Sequence, residues 1–274
     1  MIQQPNVVEK IFELRQKFAV IGLTGRTGSG CTTVADLLTH SDFQGLEAPV
    51  PTVNPKGVSN DERKYKILYT YLSNVWKEEK IKFIKIKASD IIFFFVLLDG
   101  FDHFIEAFKG TQSKKDGDDH PEYEALKQNL EEKFQNVFNE KGNKAVSVKG
   151  LLDSESLNDE DLQTINDFIF HELPDFINEV STEIKTSSKK KLYKQFQEWG
   201  NNIRQYGVSF KESNANAVSP ALLAETINRI IKVKRALHKG VGLFFVVDSL
   251  RNPYEVLYFR ERYSAFYLMS INTD

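Results

Sequence analysis

The residues with the clearest chemical meaning lie in one stretch, Gly22 to Val34, read GLTGRTGSGCTTV. Gly25, four residues, Gly30, one residue and Thr32 follow the spacing G-x-x-x-x-G-K-[ST] of a phosphate-binding loop, with Cys31 standing where the lysine would be. In such a loop successive backbone N–H groups turn inward and the following helix aims its positive end at the same point, so a di- or triphosphate is held largely by the main chain. Gly25, Gly28 and Gly30 allow the backbone to bend and approach closely, and the Thr32 hydroxyl is placed to reach Mg²⁺. Arg26, Thr27, Ser29, Cys31 and Thr33 complete the candidate phosphate-binding set, Gly25 to Thr33. The plainer alternative is a glycine-rich turn that only joins a strand to a helix.

Cys31 decides how much chemistry the loop can carry. The usual lysine puts a positive charge between the outer phosphates, and phosphoryl transfer depends heavily on such stabilisation. A neutral thiol contributes none of it. Arg26 inside the loop, or an arginine from elsewhere such as Arg204 or Arg251, could compensate. The thiol itself reads as a small packed residue and not as a redox sensor.

Asp248 ends an apolar run, as the Walker B acid of a P-loop protein does, and could hold magnesium through water, with Thr32 as the second tentative Mg²⁺ residue. Arg251 follows three residues later. In an open α/β fold this acid and base would fall at the carboxyl edge of the sheet, where ligands bind. Each could also be an ordinary turn residue. In QEWGNNIRQYG, Gln197 and Arg204 are seven residues apart and share a helix face, so Arg204 is a further phosphate-support candidate, or a surface arginine.

Other chemistries find no residues to carry them. The single cysteine excludes a disulfide framework and a cysteine-based zinc cage within the chain, and favours a reducing, cytoplasmic setting. With a single cysteine there is no P-C-x-x-C pair, so no zinc-deaminase centre is expected in these residues. No esterase elbow or dinucleotide fingerprint stands out. A net charge of −2 gives no global reason to expect nucleic-acid or anionic-membrane binding. The longest apolar run, Ile91 to Leu98, is too short to span a bilayer, and the N-terminus lacks a signal-peptide core, so neither a membrane segment nor secretion is expected.

The elements needed to position the loop are present in order. Val7, Val8, Ile11, Phe12 and Leu14 recur at helical spacing and lead into a short strand, Phe18 to Leu23, apolar on both faces as in a parallel sheet. The loop follows, and TTVADLL opens a helix. Residues 44–60 read as an irregular connection, and Ser59 with Glu62 as a capping box before a helix with Tyr65, Leu68, Tyr69, Leu72, Val75 and Trp76 on one face. Ile81 to Lys87 reads as a strand. Asp90 is a candidate cap for a helix beginning IIFFFVLL, whose propensity alone would favour a strand but whose apolar spacing continues through Asp102 to Phe108.

From about 102 to 191 the chain turns helix-rich and charged, broken at KKDGDDHP and at KTSSKKK, and reads as a helical insertion or lid. Pro121 starts a helix carrying Tyr123, Leu126, Leu130, Phe134, Val137 and Phe138; further helices cover Asp159 to Glu172 and Pro174 to Lys185. Lys189 to Lys191 read as a solvated helix end or a contact for an acidic ligand. Then come a helix capped by Ser219 and Pro220 and ended by Gly240, a strand from Val241 to Val247, a short helix opened by Asn252, Pro253 and Glu255, and a closing strand from Ala265 to Ile271.

Three stretches together, VIGLTGRTGSGCTTVADLL, QEWGNNIRQYG and VVDSLRNPYEVLYFRERYSAFYL, resemble the N-terminal P-loop domain of the anti-phage dCTP deaminases, the deoxycytidylate deaminase-related family. The likeness is strongest at the two ends of the chain and weak in the helical segment, and the GSGCTT form belongs to it. More distantly, D-x-x-R followed by proline and glutamate is similar to deoxynucleoside monophosphate kinases. The resemblance implies an α/β P-loop NTPase fold, nucleotide-kinase-like, with a mainly parallel sheet covered by helices, residues 1–274 forming one domain with the insertion inside it. It also implies a zinc-dependent deaminase domain, outside these residues and acting in cis or in trans, that converts deoxycytidine nucleotides and depletes dCTP during phage infection.

The expected function is therefore binding of a nucleoside triphosphate with Mg²⁺, regulating such a deaminase. An active deoxynucleoside monophosphate kinase and an interaction module with a vestigial loop, binding an inhibitory RNA or protein, are the alternatives. Self-association is compatible with all three.

Overall fold

The computed structural model describes residues 17–40, 59–79, 83–109, 121–210, 219–239 and 242–272. The expected N-terminal helix, the connection over 44–58, nearly all of KKDGDDHP and the glycine stop at Gly240 lie outside the described residues. The fold is α/β and divides into two compact units, one drawn from Met1–Ile86, Val241–Arg251 and Tyr263–Asp274, the other from Lys87–Gly240 and Asn252–Arg262. The helical unit is thus wider than the 102–191 expected from composition.

The first unit is built on a four-stranded parallel sheet of β1 (Phe18–Gly25), β2 (Phe83–Lys87), β3 (Leu243–Asp248) and β4 (Phe266–Ile271), in the order β2-β3-β1-β4. β1 lies between β3 and β4, with Ile21 opposite Val246 on one side and Tyr267 on the other. Its consecutive residues Val20 to Leu23 are all buried, as a strand packed on both faces requires. Gly22 is needed for space: a Cβ there would come 2.7 Å from Leu250 Cδ1 and 2.9 Å from the Phe266 ring.

Helix α1 (Cys31–Thr39) packs on β1 and β3. Cys31 and Ala35 join Ile21, Leu23, Phe83 and Val246 in one apolar cluster, with Val34, Leu38, Phe244 and Ile271 at its margin. Lys85 of β2 forms an ion pair with Asp36 of α1. Helix α2 (Asn60–Glu79) begins with the expected capping box: Ser59 N–H donates to Glu62 Oε2 at 2.9 Å and Glu62 N–H to Ser59 Oγ at 3.2 Å. Leu68, placed on that helix's apolar face by spacing, is exposed.

The second unit is helical. IIFFFVLL is a helix, α3 (Ala88–Asp99), in which Ile91 through Leu97 are all buried; a helix apolar all round belongs inside a bundle. It starts at Ala88, before Asp90, so Asp90 sits in the first turn and is not the cap. Gly100, with φ of 92°, separates it from α4 (Phe101–Lys109). Around α3 pack α5 (Pro121–Asp153), α7 (Leu173–Tyr206) and α8 (Leu222–Leu237). Phe93 meets Phe104, Phe138, Phe176 and Trp199 in edge-on ring contacts, centroids 5.9–6.4 Å apart, a geometry favoured by the ring quadrupoles.

Three boundaries differ from the sequence reading. KTSSKKK interrupts nothing, since α7 runs through it; lysine and serine lower helix propensity little, and no glycine or proline breaks the run. The break expected before Pro174 is instead one π turn, Phe168–Glu172, joining α6 (Asp159–Asp167) to α7, with Leu173 N–H bonded to the Phe168 carbonyl. Pro174 has no N–H for the carbonyl four residues back and its ring would crowd it, so a widened turn there keeps the helix continuous. Finally, α8 starts at Leu222: Ser219 accepts from Leu222 N–H through its carbonyl and from Ala221 N–H through its hydroxyl, a turn that precedes the helix instead of capping it.

Glu172, at the end of the π turn, joins it to α5 by ion pairs with Lys141 (2.9 Å) and Lys144. Burial opposes ionisation of this carboxyl, but the two ammoniums outweigh it and hold its pKa below the ordinary 4.5. A carboxylate whose pKa is lower folded than unfolded adds stability above the unfolded value and loses it as pH falls. Thermal melts of Glu172→Gln and the parent should therefore differ most near neutral pH and converge as pH falls below the ordinary carboxylate value.

Candidate functional site

Parallel pairing of β1 with β3 brings the carboxyl ends of both strands to one edge of the sheet, and the site grows from that edge. After β1 the chain turns at once: Ser29 N–H donates to the Arg26 carbonyl at 3.0 Å, with Gly28 in the left-handed region at φ 86°. Gly30 is the N-cap of α1, also left-handed, and its carbonyl accepts the first helical bond from Val34 at 3.0 Å. No side chain caps this helix and no acid lies in its first turn. The main-chain N–H groups that open α1 are thus set for an anion, with no carboxylate in that turn to compete.

Gly25 is held by space. A Cβ there would stand 2.5 Å from the Ile271 carbonyl oxygen, and closer still to Ser29 Oγ. Ser29 and Cys31 both point inward, 5% and 7% exposed, with Oγ and Sγ 3.5 Å apart. The thiol is therefore a core atom under the loop, as expected of a packed residue, while Arg26, Thr27, Thr32 and Thr33 face outward. Because Cys31 is the only cysteine, its burial is easy to test: alkylation by iodoacetamide in the native protein should run at least about tenfold slower than in urea, read by mass.

Two of the outlying candidates meet the loop. Thr32 Oγ1 donates to Asp248 Oδ2 at 2.8 Å across 216 positions of sequence, and Asp248, the last residue of β3, is 5% exposed. Arg251 Nη1 donates to Thr27 Oγ1 at 3.1 Å. Between them lies Ser249, which sequence reading did not single out: its φ is 71°, the only positive value on a non-glycine among the described residues. Its hydroxyl donates to Asp248 Oδ1 at 2.8 Å, and the next N–H, of Leu250, donates to the Leu23 carbonyl at 2.8 Å. The available signal was a serine following an acid at a strand end, a common local turn former.

Arg204 has a different place. Within the second unit its Nε donates to Glu255 Oε1 at 2.7 Å, in a pair whose carboxylate is almost wholly buried. Gly200 makes room for it, since a Cβ there would come 2.9 Å from Arg204 Nη1 and 3.0 Å from Ile92 Cδ1. Glu255, expected to serve the start of α9 (Pro253–Arg262), is this partner instead, and Asn252 Oδ1 caps that helix by accepting from Tyr254 N–H at 3.0 Å. Arg204 is thus an ion-pairing residue of the helical unit.

Thr32 and Asp248 offer the hard oxygen donors that magnesium takes, one hydroxyl beside one carboxylate at the mouth of the anion-ready turn. Among the described residues no group of three or more His, Cys, Asp or Glu gathers as a metal cluster, and no helix is long and apolar enough to cross a membrane. No family model, curated protein or solved structure matches the chain.

Proposed function

We propose that this chain binds a nucleoside triphosphate with Mg²⁺ in the loop from Gly25 to Thr33, and that occupancy of the loop regulates a deoxycytidine-nucleotide deaminase in anti-phage defence, in a P-loop, nucleotide-kinase-like fold. The observation that carries the binding claim is the 2.8 Å contact of Thr32 with Asp248 at the N-terminus of an uncapped helix. Thr32 and Asp248 would hold the ion, directly and through water, and its charge would neutralise part of the phosphate chain. The buried, neutral Cys31 favours sensing over transfer, because the loop itself then adds little charge to a reacting phosphate. The deaminase and its phage setting rest on sequence resemblance alone.

Isothermal titration with ATP, GTP and the deoxynucleoside triphosphates, each with Mg²⁺, tests the binding claim, and no heat of binding at millimolar ligand would sink it. The regulatory claim is tested by dCTP deamination assayed with and without this chain and its nucleotide. An unchanged rate in every combination rejects it. One observation favours a second reading, an active deoxynucleoside monophosphate kinase: the Arg251 guanidinium lies on the loop, where it could replace the lysine. Transfer of labelled γ-phosphate to a deoxynucleoside monophosphate would establish it.

A further inference from the structure

We infer that Arg251 is the cation that reads the phosphate chain in this loop, so that charge reaches the site from the end of β3 and not from the helix that follows the loop. This rests on the loop being the nucleotide site. A triphosphate brings several negative charges, which the helix end, equivalent to roughly half a positive charge, and one divalent ion do not balance. A further cation is needed, and the structure distinguishes the basic residues that could supply it.

Lys85 is paired with Asp36, and Arg204 with Glu255. Arg26 lies exposed in the turn itself. Arg251 is also exposed, meets no carboxylate among the described residues, and is already hydrogen-bonded to a loop hydroxyl. With Nη1 on Thr27, the planar guanidinium keeps further N–H donors for phosphate oxygens, a geometry suited to bidentate recognition.

The turn that delivers Arg251 is costly and firmly held. Serine disfavours a positive φ, and such strain persists only where its surroundings fix it. Here the Ser249 hydroxyl bonds back to Asp248, Leu250 N–H is tied to the β1 backbone, and the Leu250 side chain is buried above Gly22. As a result Asp248 meets the loop at Thr32 and Arg251 meets it at Thr27, an acid at one end of the nest and a base at the other. A relaxed turn would suffice to hold a surface arginine.

The test is calorimetric binding of Mg²⁺-ATP, inorganic tripolyphosphate and AMP to the parent, Arg251→Gln, Arg251→Lys and Arg26→Gln. Loss of one charged hydrogen-bonding group predicts that Arg251→Gln binds ATP and tripolyphosphate about 10- to 100-fold more weakly, with AMP changed far less. Arg251→Lys should recover part of the loss, and Arg26→Gln should bind within about threefold of the parent. Unchanged triphosphate affinity in Arg251→Gln overturns the inference while leaving the nucleotide site intact, as does a loss that appears in Arg26→Gln instead. A parent that binds neither ATP nor tripolyphosphate overturns both.

Discussion

Gly25→Ala should be among the most damaging single-atom additions in the first unit. The new methyl would sit 2.5 Å from the Ile271 carbonyl oxygen, closer than real Cβ contacts allow, and would also press on Ser29 Oγ and stand 3.2 Å from Cys31 Sγ. Ile271 cannot simply swing away, because Gly25 and Ile271 are paired in the β1–β4 ladder. The loop must move instead, carrying Ser29 and the first turn of α1 with it. Overpacking of this kind costs about 1–3 kcal/mol, and displacing the proposed phosphate site by an ångström would cost on the order of 100-fold in its function. Gly28→Ala is the matched control: nothing lies within 4 Å of its Cβ, so it carries only the left-handed backbone penalty of about 1–2 kcal/mol. Urea denaturation and Mg²⁺-ATP titration of both variants check this. Equal stability of Gly25→Ala and the parent would mean that the close approach of β4 to the loop is not real.

Much of this arrangement could be read from the chain because the phosphate-loop spacing ties residue type to backbone conformation. Gly28 and Gly30 occur where φ is positive and Gly25 where there is no room, so the glycines could be assigned before any fold was known. Asp248 was legible as the polar end of an apolar strand, and its pairing with Thr32 follows from two parallel strands ending together. Arg204 was not, because its partner Glu255 lies 51 positions away and looked like a helix-start acid; charge pairing over such distances leaves no local pattern. The π turn at Phe168–Glu172 was equally silent, since periodicity reports which face is apolar and not how many residues a turn contains. The width of the helical unit was missed for a related reason. Composition marks where a chain becomes charged, whereas the core of that unit is the apolar run Ile91 to Leu97 of α3 at its beginning.

Asp248→Asn should separate folding from binding. The carboxylate is 5% exposed, and its partners among the described residues are two hydroxyls, Thr32 Oγ1 and Ser249 Oγ, each at 2.8 Å. Hydroxyls solvate a buried charge less well than water or a cation does, so the fold bears a cost that a magnesium ion would offset. The amide keeps an oxygen to accept one of these bonds and removes the charge. The variant should therefore unfold at the parent's temperature or above it, with a gain on the order of 1 kcal/mol, as is common when a functional group is replaced at a strained site. Its response to ligand should move the other way. The parent, if it binds Mg²⁺-ATP, gains stability as RT ln(1 + [L]/Kd), and losing a group from the ion's shell typically weakens that binding by about 10- to 100-fold. A thermal-shift series with ATP, at fixed nucleotide and rising Mg²⁺, reads both effects at once: a raised baseline for the variant and a flattened magnesium response. A variant whose magnesium response matches the parent's removes Asp248 from the proposed metal site, and one that is strongly destabilised without ligand shows that the Thr32 contact serves the fold first.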